Sequence, residues 1–206
     1  MDPLTRIGND VVDLDAPELT TTPLHPRYME RVCCEQEMER IQAAGNPRLL
    51  LWSLFAAKEA AYKAARKNSP GLVFAHRLFV VSDDLTEVCH PNHQFSVQVK
   101  HGQGWVHAIA VTRHLDSGPE LEPMPSYWLR PRNQNGDASA QVRQLLCHSV
   151  APLLGCMASE LAVVRDVDPQ SWSQQSPPRL TWGGQATAID ISLSHDGRFL
   201  AAAARL

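Results

Sequence analysis

The stretch Leu49 to Lys67, LLLWSLFAAKEAAYKAARK, restricts the possible folds more than any other part of the chain. It is rich in Ala, Leu, Lys and Glu, holds no Gly or Pro, and stops before Asn68-Ser69-Pro70-Gly71. That composition predicts one long helix. Glu59 and Lys63 stand four apart and share a face, with Phe55 one turn earlier on the same side. Taken alone, an exposed Glu-to-Lys pair stabilises a helix by only a few tenths of a kcal/mol and needs no functional explanation.

A second segment changes that reading. Ile7 to Leu14, IGNDVVDL, predicts a strand carrying carboxylates at Asp10 and Asp13. Asp10 falls inside an apolar run that should be half or fully buried, where an unpaired carboxylate is costly. Backbone amides could cap it, or a cation could. Asp10 and Glu59, from separate elements with a lysine one turn away, suit a hard divalent ion that also binds phosphate oxygens. Magnesium commonly takes one or two protein carboxylates together with substrate phosphates and keeps several waters. The third segment is IDISLSHDGRFLAAA, in which Ser194 and His195 end an alternating strand and Asp196-Gly197 makes a tight turn. Neighbouring strand residues point to opposite faces, so Ser194 and His195 do not read as a nucleophile and its base. A hydroxyl, an imidazole and turn amides beside a phosphate fit better.

The rest of the chain organises around these pieces. Pro26 to Ala44 is helical in composition, with Gly45-Asn46-Pro47 as its stop signal. Strands are predicted at Arg77 to Val81, Phe95 to Lys100 and Val106 to Thr112, then a helix at Ser139 to Leu154. Further strands are predicted at Glu160 to Val164, Ala188 to Leu193 and Arg198 to Leu206. Residues 16–24 and 170–185 read as loop. Residues 116–137, with four prolines and little periodicity, read as a linker or a long surface excursion. Placing His101 on His195 sets Val97 on Ile191, Val99 on Leu193, Trp105 on Phe199 and Ala108 on Ala202 without a gap. This spacing suggests two similar α+β units, residues 1–115 and 138–206, joined by the linker and packed as a pseudo-dimer.

Composition narrows the function classes. A formal charge of −3 excludes a generally basic, nucleic-acid-coating protein. No run approaches the ~18 apolar residues of a membrane span, and MDPLTRIGND is too polar for a signal peptide. The five cysteines contain no C-x-x-C pair and suit reduced thiols, which makes the cytoplasm the default location. Lys58, Lys63, Arg66 and Lys67 form a local basic cluster against the single acid Glu59. His90, His93 and His107 show no metal-binding arrangement and read as surface or core residues.

The three segments, in this order, resemble the 4′-phosphopantetheinyl transferase superfamily. Its G-x-D strand stands here as Gly8-Asn9-Asp10, its W-x-x-K-E-A-x-x-K helix as Phe55 to Lys63, and its S-x-S-H strand end as Ser192 to His195. HPRYMERVCCEQEMERI also resembles the helical segment that follows G-x-D in holo-acyl-carrier-protein synthases. The resemblance implies transfer of phosphopantetheine from coenzyme A to a serine of an apo acyl or peptidyl carrier protein. It implies that Asp10 and Glu59 ligate Mg2+, and that Lys63 neutralises phosphate charge or assists departure of adenosine 3′,5′-bisphosphate. Glu59, or a water it holds, would take the serine proton. Ser194, His195, Lys58 and Arg179 would hold coenzyme A. Carrier proteins of this pathway are generally acidic, so Arg27, Arg31 and Arg66 are candidates for the docking surface.

The chain departs from the family pattern at Phe55, where Trp is common, with Trp52 a turn earlier, and at Asn9, where an apolar residue is usual. Larger members carry an acid at the position of Val12. On a regular strand Val12 shares the face of Asp10 and Asp13 does not, which leaves the third metal position to Asp13 on a bulged strand or to water. The small trimeric synthases have this motif order but are much shorter. The larger type has two units in the reverse order, and Arg143 to Gly155 resembles a helix of its first half. The expectation is therefore a monomeric α+β pseudo-dimer with swapped halves and one site across the internal interface. A catalytically idle paralogue that binds coenzyme A or a carrier is the alternative.

Overall fold

Every residue of the first strand, β1 (Ile7–Asp13), is buried, and the helix predicted from Leu49 to Lys67 lies against it. The computed structural model describes residues 5–17, 19, 26–113, 123–168 and 175–206. After β1 come α1 (Pro26–Val32), α2 (Glu35–Ala43) and α3 (Pro47–Asn68), the long helix. Pro47 occupies its first turn and the Asn46 side chain accepts from the Leu49 amide, so the start is capped on both counts. Ala56, Ala57, Ala60, Ala61, Ala64 and Ala65 are wholly buried along α3. This stripe of small side chains lets the helix axis approach the sheet closely. Gly8 completes the fit, because a Cβ there would lie 1.9 Å from the Ala60 carbonyl oxygen.

β2 (Val80–Val81), β3 (Glu87–His90), β4 (His93–Gly102) and β5 (Trp105–Arg113) join β1 in an antiparallel sheet of order β1-β5-β4-β3-β2. The main core lies between this sheet and α3, with Leu54, Phe79, Val88 and Phe95 fully buried. Next come β6 (Ser126–Pro131), α4 (Ala138–Leu154), β7 (Leu161–Val164), β8 (Arg179–Trp182), β9 (Gln185–Ala186), β10 (Asp190–Asp196) and β11 (Phe199–Arg205). They make two three-stranded sheets, β10-β11-β6 and β7-β8-β9. A second core forms where α4 places Leu146 and Val150 against Leu180, Ile191 and Ala202. Asp137 caps α4 through the Ser139 and Ala140 amides, and Gly155 ends it in the left-handed conformation.

The architecture is mixed α+β, as expected. Several elements differ from the sequence reading. The predicted helix from Pro26 to Ala44 is two helices, because the chain turns at Cys33-Cys34 to bury Cys33, and Glu37 reaches back to cap the Cys34 amide at 2.9 Å. Of the strand expected at Arg77 to Val81 only β2 forms, after a 3-10 turn at His76–Leu78. Within the stretch read as linker, residues 126–131 form β6, whose alternating Ser-Tyr-Trp-Leu-Arg pairs with β11; residues 116–122 lie outside the described residues. The stretch read as loop at 170–185 contains β8 and the start of β9, joined through Gly183 and Gly184, both at positive φ; residues 170–174 lie outside the description. Of the loop read at 16–24, residues 18 and 20–24 do as well. No helix among the described residues is long and apolar enough to cross a membrane.

Two hairpins share one register. His101 faces Val106 across β4 and β5, and His195 faces Leu200 across β10 and β11, each 94 residues on. Their outer partners match as well: β1 sets Asp10 opposite Ala108, and β6 sets Trp128 opposite Ala202. Trp128 thus holds, in the second half, the sheet position that Asp10 holds in the first.

Candidate active site

β1 and β10 lie side by side in the same direction, but among the described residues no backbone hydrogen bond joins them. Their seam is held by side chains instead. The amides of Ile7, Asn9, Val11 and Asp13 donate to side-chain oxygens of Asp190, Ser192, Ser194 and Asp196 at 2.7, 2.9, 3.3 and 2.8 Å. Each rung spans the same sequence separation, and each uses an amide pointing away from β5. The alternation behind the strand predicted at Ala188 to Leu193 therefore continues to Asp196 and seats Asp190, Ser192, Ser194 and Asp196 on the edge of β1.

The chemistry collects at this seam. Lys63 donates to Asp10 Oδ1 at 2.7 Å, to the Asn9 carbonyl at 3.1 Å and to Ser194 Oγ at 3.3 Å. The Ser194 hydroxyl donates to the same Asp10 oxygen at 2.8 Å. Asp10 is therefore satisfied by side chains from α3 and β10, while its own strand amide serves the sheet. Glu59, one turn before Lys63, lines the same cleft. Burial pushes its carboxyl up to about 7; Lys63 opposes the shift and the Asp10 charge adds to it. His195 opens onto the cleft, and burial together with the charges of Arg132 and Lys63 holds its imidazole below the usual range, against Asp137 and Asp196.

The cleft encloses about 480 Å³. It is lined by Asp10, Glu59, Lys63, Ser194 and His195, by the apolar Leu19, Trp52 and Phe55, and by Ser139, Arg143 and Arg165. Trp52 and Phe55 meet edge to face at 5.5 Å.

Other predicted residues lie elsewhere. Lys58 does not reach the cleft: it is fully buried and spends its protons on Glu37 at 2.6 Å, the Val32 carbonyl at 2.8 Å and the His76 carbonyl at 3.2 Å. Adjacent helix positions point about 100° apart, which carries Lys58 into the α1–α2 junction while Glu59 faces the seam. Arg179 is on the surface, paired with Asp166 at 2.6 Å, and does not line the cleft. Asp13 is buried and points away from Asp10: its carboxylate takes the Arg198 amide, Nε and Nη2 and the Asp15 amide. Burial pushes its carboxyl up, but these bonds outweigh it and hold the group below its usual range. Arg27 and Arg31 are exposed on α1, and Arg66 donates to the Gln175 carbonyl at 3.0 Å.

A family model described as the 4′-phosphopantetheinyl transferase superfamily matches residues 6–110, a little over half of the 206-residue chain. The chain belongs to this superfamily. No curated protein sequence matches it. Among solved structures it is similar to a holo-[acyl-carrier-protein] synthase from Neisseria meningitidis, at 20% identity over 55% of this chain and 100% of that one, with a TM-score of 0.44. It is also similar to a synthase–CoA complex from Chronobacterium ammoniagenes, at 19% identity over 54% of this chain and 98% of that one, with a TM-score of 0.44. A Thermotoga maritima holo-[acyl-carrier-protein] synthase aligns over 95% of this chain and 100% of that one, at 17% identity and a TM-score of 0.41.

As a phosphopantetheinyl transferase, the chain brings to its cleft a set of residues that the motifs did not reveal. Arg143 and Arg165 approach closely enough that Arg165, already pushed down by partial burial, is lowered further by the charges of Arg143 and Arg66. The charge of Arg132, which does not itself line the cleft, lowers His195 as well. Cations that depress one another at a cleft rim make a seat for anions. Arg143 had a signal in the sequence, standing in the helix that resembles the larger transferases; Arg132 and Arg165 had none, because their places depend on how the second half packs. Among the described residues no three His, Cys, Asp or Glu side chains cluster as metal ligands. The donor set is two carboxylates, Asp10 and Glu59, with Lys63 neutralising one oxygen of Asp10 at 2.7 Å. Such a set fits a cation that keeps waters and substrate oxygens in its shell.

Proposed function

We propose that this enzyme transfers 4′-phosphopantetheine from coenzyme A to a serine of an apo acyl or peptidyl carrier protein, with Mg2+, releasing adenosine 3′,5′-bisphosphate. The observation that carries the reading is the meeting of Asp10, Glu59 and Lys63 from the first half with Ser194 and His195 from the second in one arginine-rimmed cleft. When bound, Mg2+ would neutralise the pyrophosphate of coenzyme A, and Asp10 and Glu59 are the residues that would hold it. Ser194 orients Asp10 through its 2.8 Å bond. Arg143, Arg165 and the neutral N–H of His195 would bind phosphate oxygens, and Trp52 with Phe55 would line the pantetheine arm.

In the transfer the serine oxygen bonds to the phosphorus that carries pantetheine, and the bond from that phosphorus to the bridging oxygen breaks. Glu59 takes the serine proton directly or through a water. Lys63 neutralises the charge that develops on the leaving bisphosphate. The acidic carrier would dock on exposed Arg27 and Arg31. The matching hairpin registers support two related units within one chain, which we read as a cytoplasmic monomer. Trp128 stands where the second half would need its acid, which supports a single site.

The test is intact-mass spectrometry of apo carrier proteins incubated with coenzyme A, Mg2+ and the enzyme. A phosphopantetheine-sized gain that disappears with EDTA and with Glu59→Ala is expected. Coenzyme A binding without a gain on any fatty-acid, polyketide or peptide-synthetase carrier would overturn the reading in favour of an idle paralogue.

A further inference from the structure

The seam divides the site, so the register of β10 against β1 decides whether Ser194 and His195 meet Asp10 and Lys63. The amide ladder cannot fix that register by itself. Its rungs are all side-chain oxygens at a two-residue period, and a two-residue slip, about 6.6 Å, would still offer acceptors to most of the same amides. Something must distinguish one rung from the next.

Lys67 does so. It stands one turn beyond Lys63 on α3 and its side chain is 7% exposed. Its ammonium donates to the Ile7 carbonyl of β1 at 2.7 Å, to the Ile191 carbonyl of β10 at 2.6 Å and to Asp190 Oδ1 at 2.9 Å. The other Asp190 oxygen accepts the Ile7 amide at 2.7 Å. All three lysine protons and both carboxylate oxygens thus cross or border the seam at a single rung, and Arg6 adds a weaker approach to Asp190 at 3.7 Å. Any slip would leave a buried ammonium without its counter-ion, which is strongly unfavourable. At the far end Arg198 pairs with Asp13, but its side chain is 48% exposed and the pair is correspondingly screened.

We propose that Lys67 and Asp190 are a positioning pair that sets β10 in register against β1 and so holds Ser194 and His195 over Asp10 and Lys63. The catalytic consequence rests on the transferase reading above; the register itself does not. Neither residue touches the cleft, and both act through the strand they hold.

Two variants test it: Asp190→Asn, which keeps an acceptor for the Ile7 amide, and Lys67→Met/Asp190→Leu, which removes both charges together. Amide hydrogen exchange over residues 7–13, circular dichroism, and transfer kinetics are measured on each. The pair predicts folded variants whose β1 amides exchange at least about tenfold faster. It also predicts a kcat lowered about 100-fold, the scale of a misplacement near 1 Å, at unchanged KM for the carrier. A folded variant with wild-type exchange overturns the register role even if the wild-type chain transfers nothing. Wild-type kcat in a folded, fast-exchanging variant overturns the catalytic role. If both variants unfold, the pair serves stability alone and the positioning role fails.

Discussion

Gly8→Ala puts the link between fold and chemistry to a quantitative test. The new Cβ would lie 1.9 Å from the Ala60 carbonyl oxygen and 2.8 Å from the Ala64 amide nitrogen, whereas real Cβ contacts essentially never fall below 3.0 Å. The obstruction is helix backbone, which has no rotamer to yield, so α3 must move at least 1.1 Å away from β1. Ala60 adjoins Glu59 and lies less than a turn from Lys63, so the same movement separates both from Asp10. Overpacking of this kind destabilises by about 1–3 kcal/mol, and a catalytic displacement near 1 Å costs about 100-fold in rate. Thermal unfolding and single-turnover transfer, measured on one preparation, should show both effects, with the rate loss persisting well below the midpoint. A variant with wild-type rate and stability would show that α3 does not rest on Gly8, and the explanation of the glycine would be wrong.

Further outcomes follow from other residues. Lys58→Met should cost about 3–5 kcal/mol in urea unfolding, because it strands the buried Glu37; at low temperature the KM for coenzyme A should not change, whereas a coenzyme-binding lysine would raise it. Arg143→Ala should raise that KM roughly 10–100-fold, the worth of a charge-assisted hydrogen bond, with stability unaltered. His107 is buried beside Tyr127, and burial with the charges of Lys63 and Lys100 pushes its imidazole from 6.5 to about 4. The folded state then binds fewer protons than the unfolded chain between these values. Its stabilising share is complete above pH 6.5 and declines as pH falls toward 4, by roughly 2 kcal/mol at pH 5. Urea unfolding of His107→Phe should therefore lose less stability than wild type between pH 7 and pH 5, and equal losses would refute the assignment.

The sequence was most legible where local chemistry and periodicity agree. α3 announced itself by composition and by Asn68-Ser69-Pro70-Gly71, and Asp10 by being a carboxylate in an apolar strand. β6 was hidden because Pro123 and Pro125 precede it, Pro131 ends it, and β11, its partner among the described residues, lies some seventy positions later. β9 was hidden by its two-residue length, and β8 by Pro177-Pro178 directly before it and Gly183-Gly184 directly after. The motif placed Lys58 and Glu59 together, yet a helix sends adjacent side chains in different directions, and only the α1–α2 junction shows which one is buried for structure. The arginine rim and the Lys67–Asp190 pair depend on two distant segments meeting along the seam. Lys67 alone looks like one more solvated residue of a basic run.

The central claim is that one site is assembled from both halves of a single chain. It is tested most directly by comparing transfer rates of wild type, Asp10→Ala and His195→Ala on one apo carrier under single-turnover conditions. Each substitution should lower the rate about 100-fold or more, although one residue lies on the first strand and the other on the tenth. A His195→Ala variant that transfers at the wild-type rate would confine the chemistry to the first half and contradict the account.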